Sequence, residues 1–452
     1  MIDQHDKLRE VAWNELFRWL VLLRSVRIAL LARVLVLGAL GLIATSIGWK
    51  VILWVFSQST DPVILQWQEE LRGWLWTTES EFSIVTSARN AQELFASAAT
   101  GLIEAPVTLW LFVTRPFVDL FRRELTAVGF LCLLLCGVWE LLVWGLFGGA
   151  ISRIAALKFT RDEAPDVIGA LRHSSSKLLS YSMAPLLALA GAAVFAGQLA
   201  ILGWMMQLDV IAVVAAFAWP FVLLLGLLMA ILLLGALVGW PLMWATVSVE
   251  GTDAFDALSR SYAYTYQRPL RLLWYVLIAA ILAAVSMFVV RLFATSAISL
   301  GNWSISWGLD EETYREIVAP LPAEALTRPP TADPTVADPA VTSVLDAPPL
   351  SSDAFQPRPD LTGMKRLAAT AIGFWKSLLG ALAAGYQAGF LWVASVGVYL
   401  LLRKDIDGAE MDEVYVEDEP EFGMPPLADD VATGVPEVDP SAPAQPGDLK
   451  SS

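Results

Sequence analysis

Between Leu178 and Glu250 the chain carries a single charged side chain, Asp209. A helix needs only about 20 apolar residues to cross the roughly 30 Å hydrocarbon layer of a bilayer. The run is too long for one crossing, so it reads as two spans turning at Met205 to Asp209. Four further stretches qualify. Val34 to Phe56 carries only Lys50 near its end, Ala127 to Leu157 carries Glu140 and Arg153, Leu272 to Leu300 carries Arg291, and Leu378 to Leu402 carries no charge. Six spans follow. Composition agrees: 56% of the 452 residues are hydrophobic and 17% charged, with a mean hydropathy of +0.58. Such a chain lies outside the ordinary soluble class. Two Cys and two His are too few for a disulfide framework or a Cys/His metal site, and a net charge of -15 argues against a nucleic-acid partner. No cofactor is expected.

Basic residues set the orientation, because cytoplasmic loops retain Lys and Arg. Lys7, Arg9, Arg18, Arg24, Arg27 and Arg33 precede the first span; Arg153, Lys158, Arg161, Arg172 and Lys177 lie between the second and third; Arg260, Arg268 and Arg271 lie between the fourth and fifth; Arg403 and Lys404 follow the last. A six-span chain puts all four groups on one side, so both termini are predicted to be cytoplasmic. Arg115, Arg122 and Arg123 disagree, falling on the outer side after the uncharged run Ala105 to Thr114. Ten residues are too few to cross, so this run is expected to be interfacial or re-entrant, with an additional span as the alternative.

The chain divides accordingly. Residues 1–33 form an amphipathic cytoplasmic segment with Trp13 and Trp19, read as an interfacial helix and not a cleaved signal peptide. Residues 34–56 are the first span, and 57–124 an outer helical cap with amphipathic helices at Pro62 to Leu71 and Ala91 to Phe95. Residues 125–300 form the membrane core with spans two to five. Residues 301–365 are an outer linker, with ten prolines between Pro320 and Pro359, and 366–404 carry the sixth span. Residues 405–452 hold 14 Asp or Glu, one Lys and seven Pro, and are read as a disordered acidic tail.

The most specific feature is an internal match. Glu163-Ala-Pro-Asp166-Val-Ile-Gly-Ala170-Leu171-Arg-His-Ser174 aligns without a gap to Glu250-Gly-Thr-Asp253-Ala-Phe-Asp-Ala257-Leu258-Ser-Arg-Ser261, with five identities in twelve positions. At about 100° per residue the Glu, Asp, Ala and Ser positions share one helix face. Acids near a helix start suit its dipole, and Pro165 stands where a missing N–H is harmless. Each copy is therefore expected to be a short cytoplasmic helix between two spans. Copies on one side of the membrane imply a parallel repeat of span, cytoplasmic helix and span.

From Glu250 to Leu273 the order acid, Ala-Leu, Ser-Arg-Ser-Tyr and Gln-Arg-Pro before a span resembles an uncharacterised family of bacterial multi-pass membrane proteins. More loosely it is similar to the membrane domain attached to some glycerophosphodiester phosphodiesterases. The resemblance covers roughly Gly148 to Leu300 and implies a bacterial cytoplasmic-membrane module. It carries no catalytic residues.

Glu140 is the one carboxylate in mid-span, a costly position unless it is paired, protonated or hydrated. It is thus a candidate proton relay or polar substrate contact. Cys132 and Cys136 share one helix face but lack further ligands, so packing is expected. Ala188, Ala192 and Ala196, and likewise Ala381, Gly385 and Gly389, are spaced for close helix approach, within the chain or in an oligomer. Val210 to Val249 would extend about 60 Å if straight, so Pro220 and Pro241 are expected to bend it, or its end after Gly239 to be re-entrant.

The reading is an all-α polytopic bundle of about six spans, with Glu140, Glu163, Asp166, Glu250 and Asp253 as site candidates. It has no phosphate loop, zinc-protease helix or nucleophile elbow. The leading function is a non-enzymatic scaffold in the lipid bilayer that recruits a protein partner through its acidic tail or cytoplasmic helices. The alternative is a transporter-like protein with a site between the repeats near Glu140. Reporter fusions test the topology: those after Ser175 and Ser441 are expected to read cytoplasmic and one after Asp333 extracytoplasmic, and an outside signal at Ser175 would remove the six-span scheme.

Overall fold

A computed structural model describes residues 17–71, 107, 109–122, 124–163, 165–310, 313–318 and 363–415, together with two short strands. The chain separates into a body ending at Val414 and a second unit, Tyr415–Ser452. The second unit contains β1 (Leu427–Asp429) and β2 (Pro436–Val438), paired antiparallel with Leu427 opposite Val438.

Every described element of the body is helical. A 3-10 turn at Arg18–Leu22 leads into α1 (Leu23–Ala29) and the first long helix, α2 (Ala32–Val55). Then come α3 (Pro62–Glu70), α4 (109–119), α5 (Ala127–Thr160), α6 (Val167–Ser176) and α7 (Leu178–Met205). They are followed by α8 (Asp209–Phe217), α9 (Trp219–Glu250), α10 (Ala254–Gln267), α11 (Pro269–Ser306), a π-helical turn at Tyr314–Val318 and α12 (Gly363–Ile406). Six helices, α2, α5, α7, α9, α11 and α12, are long and apolar enough to cross a membrane. They coincide with the six stretches read from the sequence. The helix expected at Ala91 to Phe95 and the Pro-rich stretch from Pro320 to Pro359 lie outside the described residues.

α12 is the centre of the bundle. From Ala383 to Leu402 every residue except Leu391 is buried, and α2, α5, α9 and α11 all pack against it. Lipid tails are as apolar as leucine side chains, so helices associate in a bilayer through close packing. Small residues supply it here: Gly385 faces the backbone of Leu35 and Ala39, Gly38 faces the backbone of Gly385, and Gly389 faces Val34. The stripe in α12 thus finds its partner, α2, within the same chain. In α7, Ala188 and Ala192 are buried while Ala196 is exposed.

The long fourth stretch breaks at Ala218, as expected at Pro220, which cannot continue an incoming helix and takes the first turn of a new one. Pro241 lies inside α9, which runs unbroken to Gly251, where a left-handed backbone (φ 65°) ends it. In the segment before α2, the described residues from Phe17 onward pack on the body: Leu22, Ile28 and Ala29 are buried, and Leu22 reaches Gly397 of α12. Finally, residues 405–414 belong to the body and not to the tail.

α3 covers one end of the bundle. Its Val63, Ile64 and Trp67 form a core with Trp49, Leu53, Cys132, Leu133 and Cys136. The two cysteines are free and fully buried, as packing requires. Asp61 caps α3 through Val63 N (2.9 Å) and accepts from the Thr126 backbone N–H (3.0 Å) and hydroxyl, tying α3 to the start of α5. Burial pushes this carboxyl up, but the bonds from Thr126 and from Val63 and Ile64 outweigh it and hold it below the ordinary aspartate range. Two of the discordant arginines are neutralised at the same end, Arg123 lying outside the described residues. Arg115 pairs with Glu70 and lies 4.6 Å over the Trp67 ring, while Arg122 pairs with Asp119 at 2.9 Å.

A Cβ at position 385 would overlap the α2 backbone, so Gly385→Leu is expected to cost at least about 1–3 kcal/mol through overpacking. Thermal unfolding followed by tryptophan fluorescence should show the loss, with Gly197→Leu, which faces open space, as the unaffected control.

Candidate functional site

Glu140 stands 13 residues into the 34-residue helix α5, about 20 Å from its start at about 1.5 Å per residue. It is 1% exposed, and neither carboxyl oxygen has a hydrogen-bond partner among the described residues. Arg291 is not its partner. The side chain borders a cavity of about 270 Å³ lined by Leu141 and Trp144 of α5, Pro185 and Leu189 of α7, and Leu233, Ala236, Leu237, Trp240 and Trp244 of α9. Val113, Thr114, Phe117 and Val118 of α4, with Phe121, close it.

α4 is the run whose placement the sequence left between interfacial, re-entrant and spanning. Its Trp110 ring lies 5.4 Å from that of Trp240, which is ten residues from the end of α9 and so about 15 Å along the helix axis. Phe117 fills the space over Gly137, a third of the way along α5. Residues 109–119 therefore pack deep among the spans and form one wall of the cavity.

The other wall is aromatic. Trp240 and Trp244 are four residues apart on one face of α9, and Trp144 is four residues beyond Glu140 on α5, so helix periodicity brings each pair to the same side. Trp392 of α12 stacks on Trp244 at 4.3 Å with planes 8° apart and meets the rings of Trp144 at 5.8 Å and Trp240 at 5.3 Å. Offset and edge-on ring pairs of this kind fix orientation. The indole N–H groups of Trp144, Trp240 and Trp244 are buried without a partner among the described residues. One carboxyl and three donors thus stand unsatisfied in residues that line one apolar space, the polar atoms themselves being covered, which is unusual for buried polar groups.

The remaining candidates lie elsewhere and do other work. Asp166 caps α6 through Val167 N (2.8 Å), and Asp253 caps α10 through Phe255 N (3.0 Å) and Asp256 N (2.9 Å). The matched alanines and serines are also alike. Ala170 and Ala257 are buried, Ser174 donates to the carbonyls of Gly145 and Leu146 at 2.6 Å, and Ser261 donates to that of Gly239 at 2.6 Å. The glutamates do not share the helical face expected of them: Glu163 lies exposed in the loop before α6, and Glu250 ends α9.

Glu250 instead joins an ionic clamp at the basic end of the bundle. It pairs with Arg260 and with Arg403 (3.3 Å) and accepts from the Tyr399 hydroxyl (2.5 Å). Nearby, Asp405 binds Arg18 (2.5 Å), Arg271 (3.0 Å) and Tyr275 (2.7 Å), and Arg403 reaches Glu413. Tyr264 donates to Asp407, and burial followed by that bond pushes its phenol well above the ordinary tyrosine range. Other bases cap helix ends, where carbonyls lack partners: Arg24 binds the carbonyls of Lys158 and Phe159, Arg153 that of Ser248, and Lys177 that of Gly251. No group of His, Cys, Asp and Glu suited to a metal ion occurs among the described residues.

No family model, curated protein or solved structure matches this chain.

Removing Glu250 takes the acceptor from the buried Tyr399 hydroxyl and from the half-exposed Arg260, while Arg403 keeps Glu413. Glu250→Ala is therefore expected to cost about 1–3 kcal/mol, as leaving a buried donor unsatisfied does. Chemical unfolding in detergent would measure it, with exposed Glu163→Ala near zero for comparison.

Proposed function

We propose that this multi-pass membrane protein is transporter-like and non-enzymatic, taking a membrane-dissolved molecule into the cavity beside Glu140. The observation that carries the reading is Glu140 itself: its carboxyl is buried and has no partner among the described residues, yet the side chain stands in the wall of an apolar space. An ionisable group at that depth is costly unless it serves a ligand or a proton. Pockets for small ligands have this build, mostly apolar with a few polar groups that fix orientation.

The two span pairs α5/α7 and α9/α11, each joined by an Asp-capped helix, are on this reading copies of one unit in parallel. The cavity lies where α9 of the second meets α5 and α7 of the first, a position typical of transporters built from repeats. The scaffold alternative has less to stand on. The acids that open the tail, Asp405, Asp407 and Glu413, are engaged by Arg18, Arg271, Tyr264 and Arg403 of the same chain. The charge rule that ordered the spans assigns the basic end to the cytoplasm, and the family resemblance implies a bacterial cell.

A dodecyl diazirine photolabel tests the reading in reconstituted membranes. Labelling should concentrate in the peptides bearing residues 113–121 and 233–244, compete with unlabelled dodecanol, and fall about tenfold when Ala236→Trp or Leu233→Trp fills the cavity. Labelling spread over lipid-facing residues and insensitive to both variants would end the proposal.

A further inference from the structure

The wall of the cavity carries a single charge-bearing group. Among the described residues that line it, Glu140 is the one Lys, Arg, His, Asp or Glu, so none of them balances an ionised carboxylate. On its own helix the nearest titratable neighbour is the thiol of Cys136, one turn away, which is fully buried and carries no positive charge. A guest that satisfies the site has to bring the missing partner with it.

Three classes of single-chain guest compare simply. A fatty anion sets its headgroup against the one acid present, in surroundings of low dielectric where like charges repel strongly. A neutral alcohol fills the apolar space and can donate one hydrogen bond, but it leaves the charge of an ionised carboxyl unbalanced. A cation pairs with it, and the lining also holds the indole rings of Trp144 and Trp240, the ring type most attractive to a cation. The rest of the lining, with Phe117 and Leu237, suits an alkyl chain.

Resting on the cavity reading above, we infer that the ligand is a cationic amphiphile: an amine or quaternary ammonium seated beside Glu140, with a hydrocarbon tail in the cavity. Glu140 then serves as the counter-ion that lets a charged headgroup reach the middle of the membrane. Specificity for charge resides in this one side chain, while the tryptophans and the apolar walls accept the tail whatever the headgroup.

The test holds the chain constant and varies the charge. The full-length protein in phosphatidylcholine nanodiscs is titrated with radiolabelled dodecyltrimethylammonium, dodecanol and laurate, and binding is taken as the excess over discs carrying Ala236→Trp. The expected result is that the ammonium binds at least about tenfold tighter than dodecanol and laurate, an advantage lost in Glu140→Gln and partly kept in Glu140→Asp, with the thermal unfolding of both variants checked. If dodecanol or laurate binds as tightly as the ammonium, or Glu140→Gln binds it unchanged, the inference is overturned while the cavity reading stands. If none of the three exceeds the filled variant, the cavity reading itself fails and the inference with it.

Discussion

The close approach of α2 and α12 is the contact on which the body depends. A bilayer gives apolar side chains no reason to prefer one another over lipid, so helices need surfaces that fit backbone to backbone. Gly38, Gly385 and Gly389 remove the side chains that would hold the two axes apart. With α2 seated, the second half of α12 is enclosed on all sides, and its Trp392 becomes the floor on which Trp144, Trp240 and Trp244 arrange themselves. The cavity beside Glu140 is shaped in turn by those rings.

The basic end answers a different constraint. Three long helices, α5, α9 and α12, finish there, each presenting unpaired carbonyls and the negative end of its dipole. The arginines and lysines that signal orientation in the sequence are the groups that meet this need. Arg24 caps α5, Arg153 and Lys177 cap α9, and Arg403 closes on Glu250 and Glu413. Charge placement that reads as topology also holds the loops together. The acids Asp405 and Asp407 are drawn into the same network, which is why the body extends to Val414 and not only to Lys404.

Much of the site was within reach of the sequence. A lone mid-span carboxylate announces itself by its cost, and the four-residue spacings from Glu140 to Trp144 and from Trp240 to Trp244 place each pair on one helix face. What spacing leaves open is which faces meet, because every side of an apolar span looks alike when the solvent is lipid. The contribution of residues 109–119 was hidden for the same reason, since ten uncharged residues have the same composition at an interface as in a cavity wall. Glu250 shows the opposite error: its alignment with Glu163 suggested a shared helical role, whereas the loop after α9 is shorter and leaves it at the end of a span, in reach of Arg260 and Arg403.

By itself the sequence determined what the energetics of hydrocarbon force: the existence, number and approximate limits of the spans, the grouping of basic residues at one end, and a short helix in each of the two matched loops. These depend on neighbours along the chain, where length, charge and periodicity decide. Only the tertiary structure determined that α12 lies at the centre, that α2 is the partner of its small-residue face, and that Glu140 shares a cavity with tryptophans from two helices. Those outcomes depend on the fit of surfaces far apart in sequence, and a run of leucines and alanines does not encode its partner until the helices are packed.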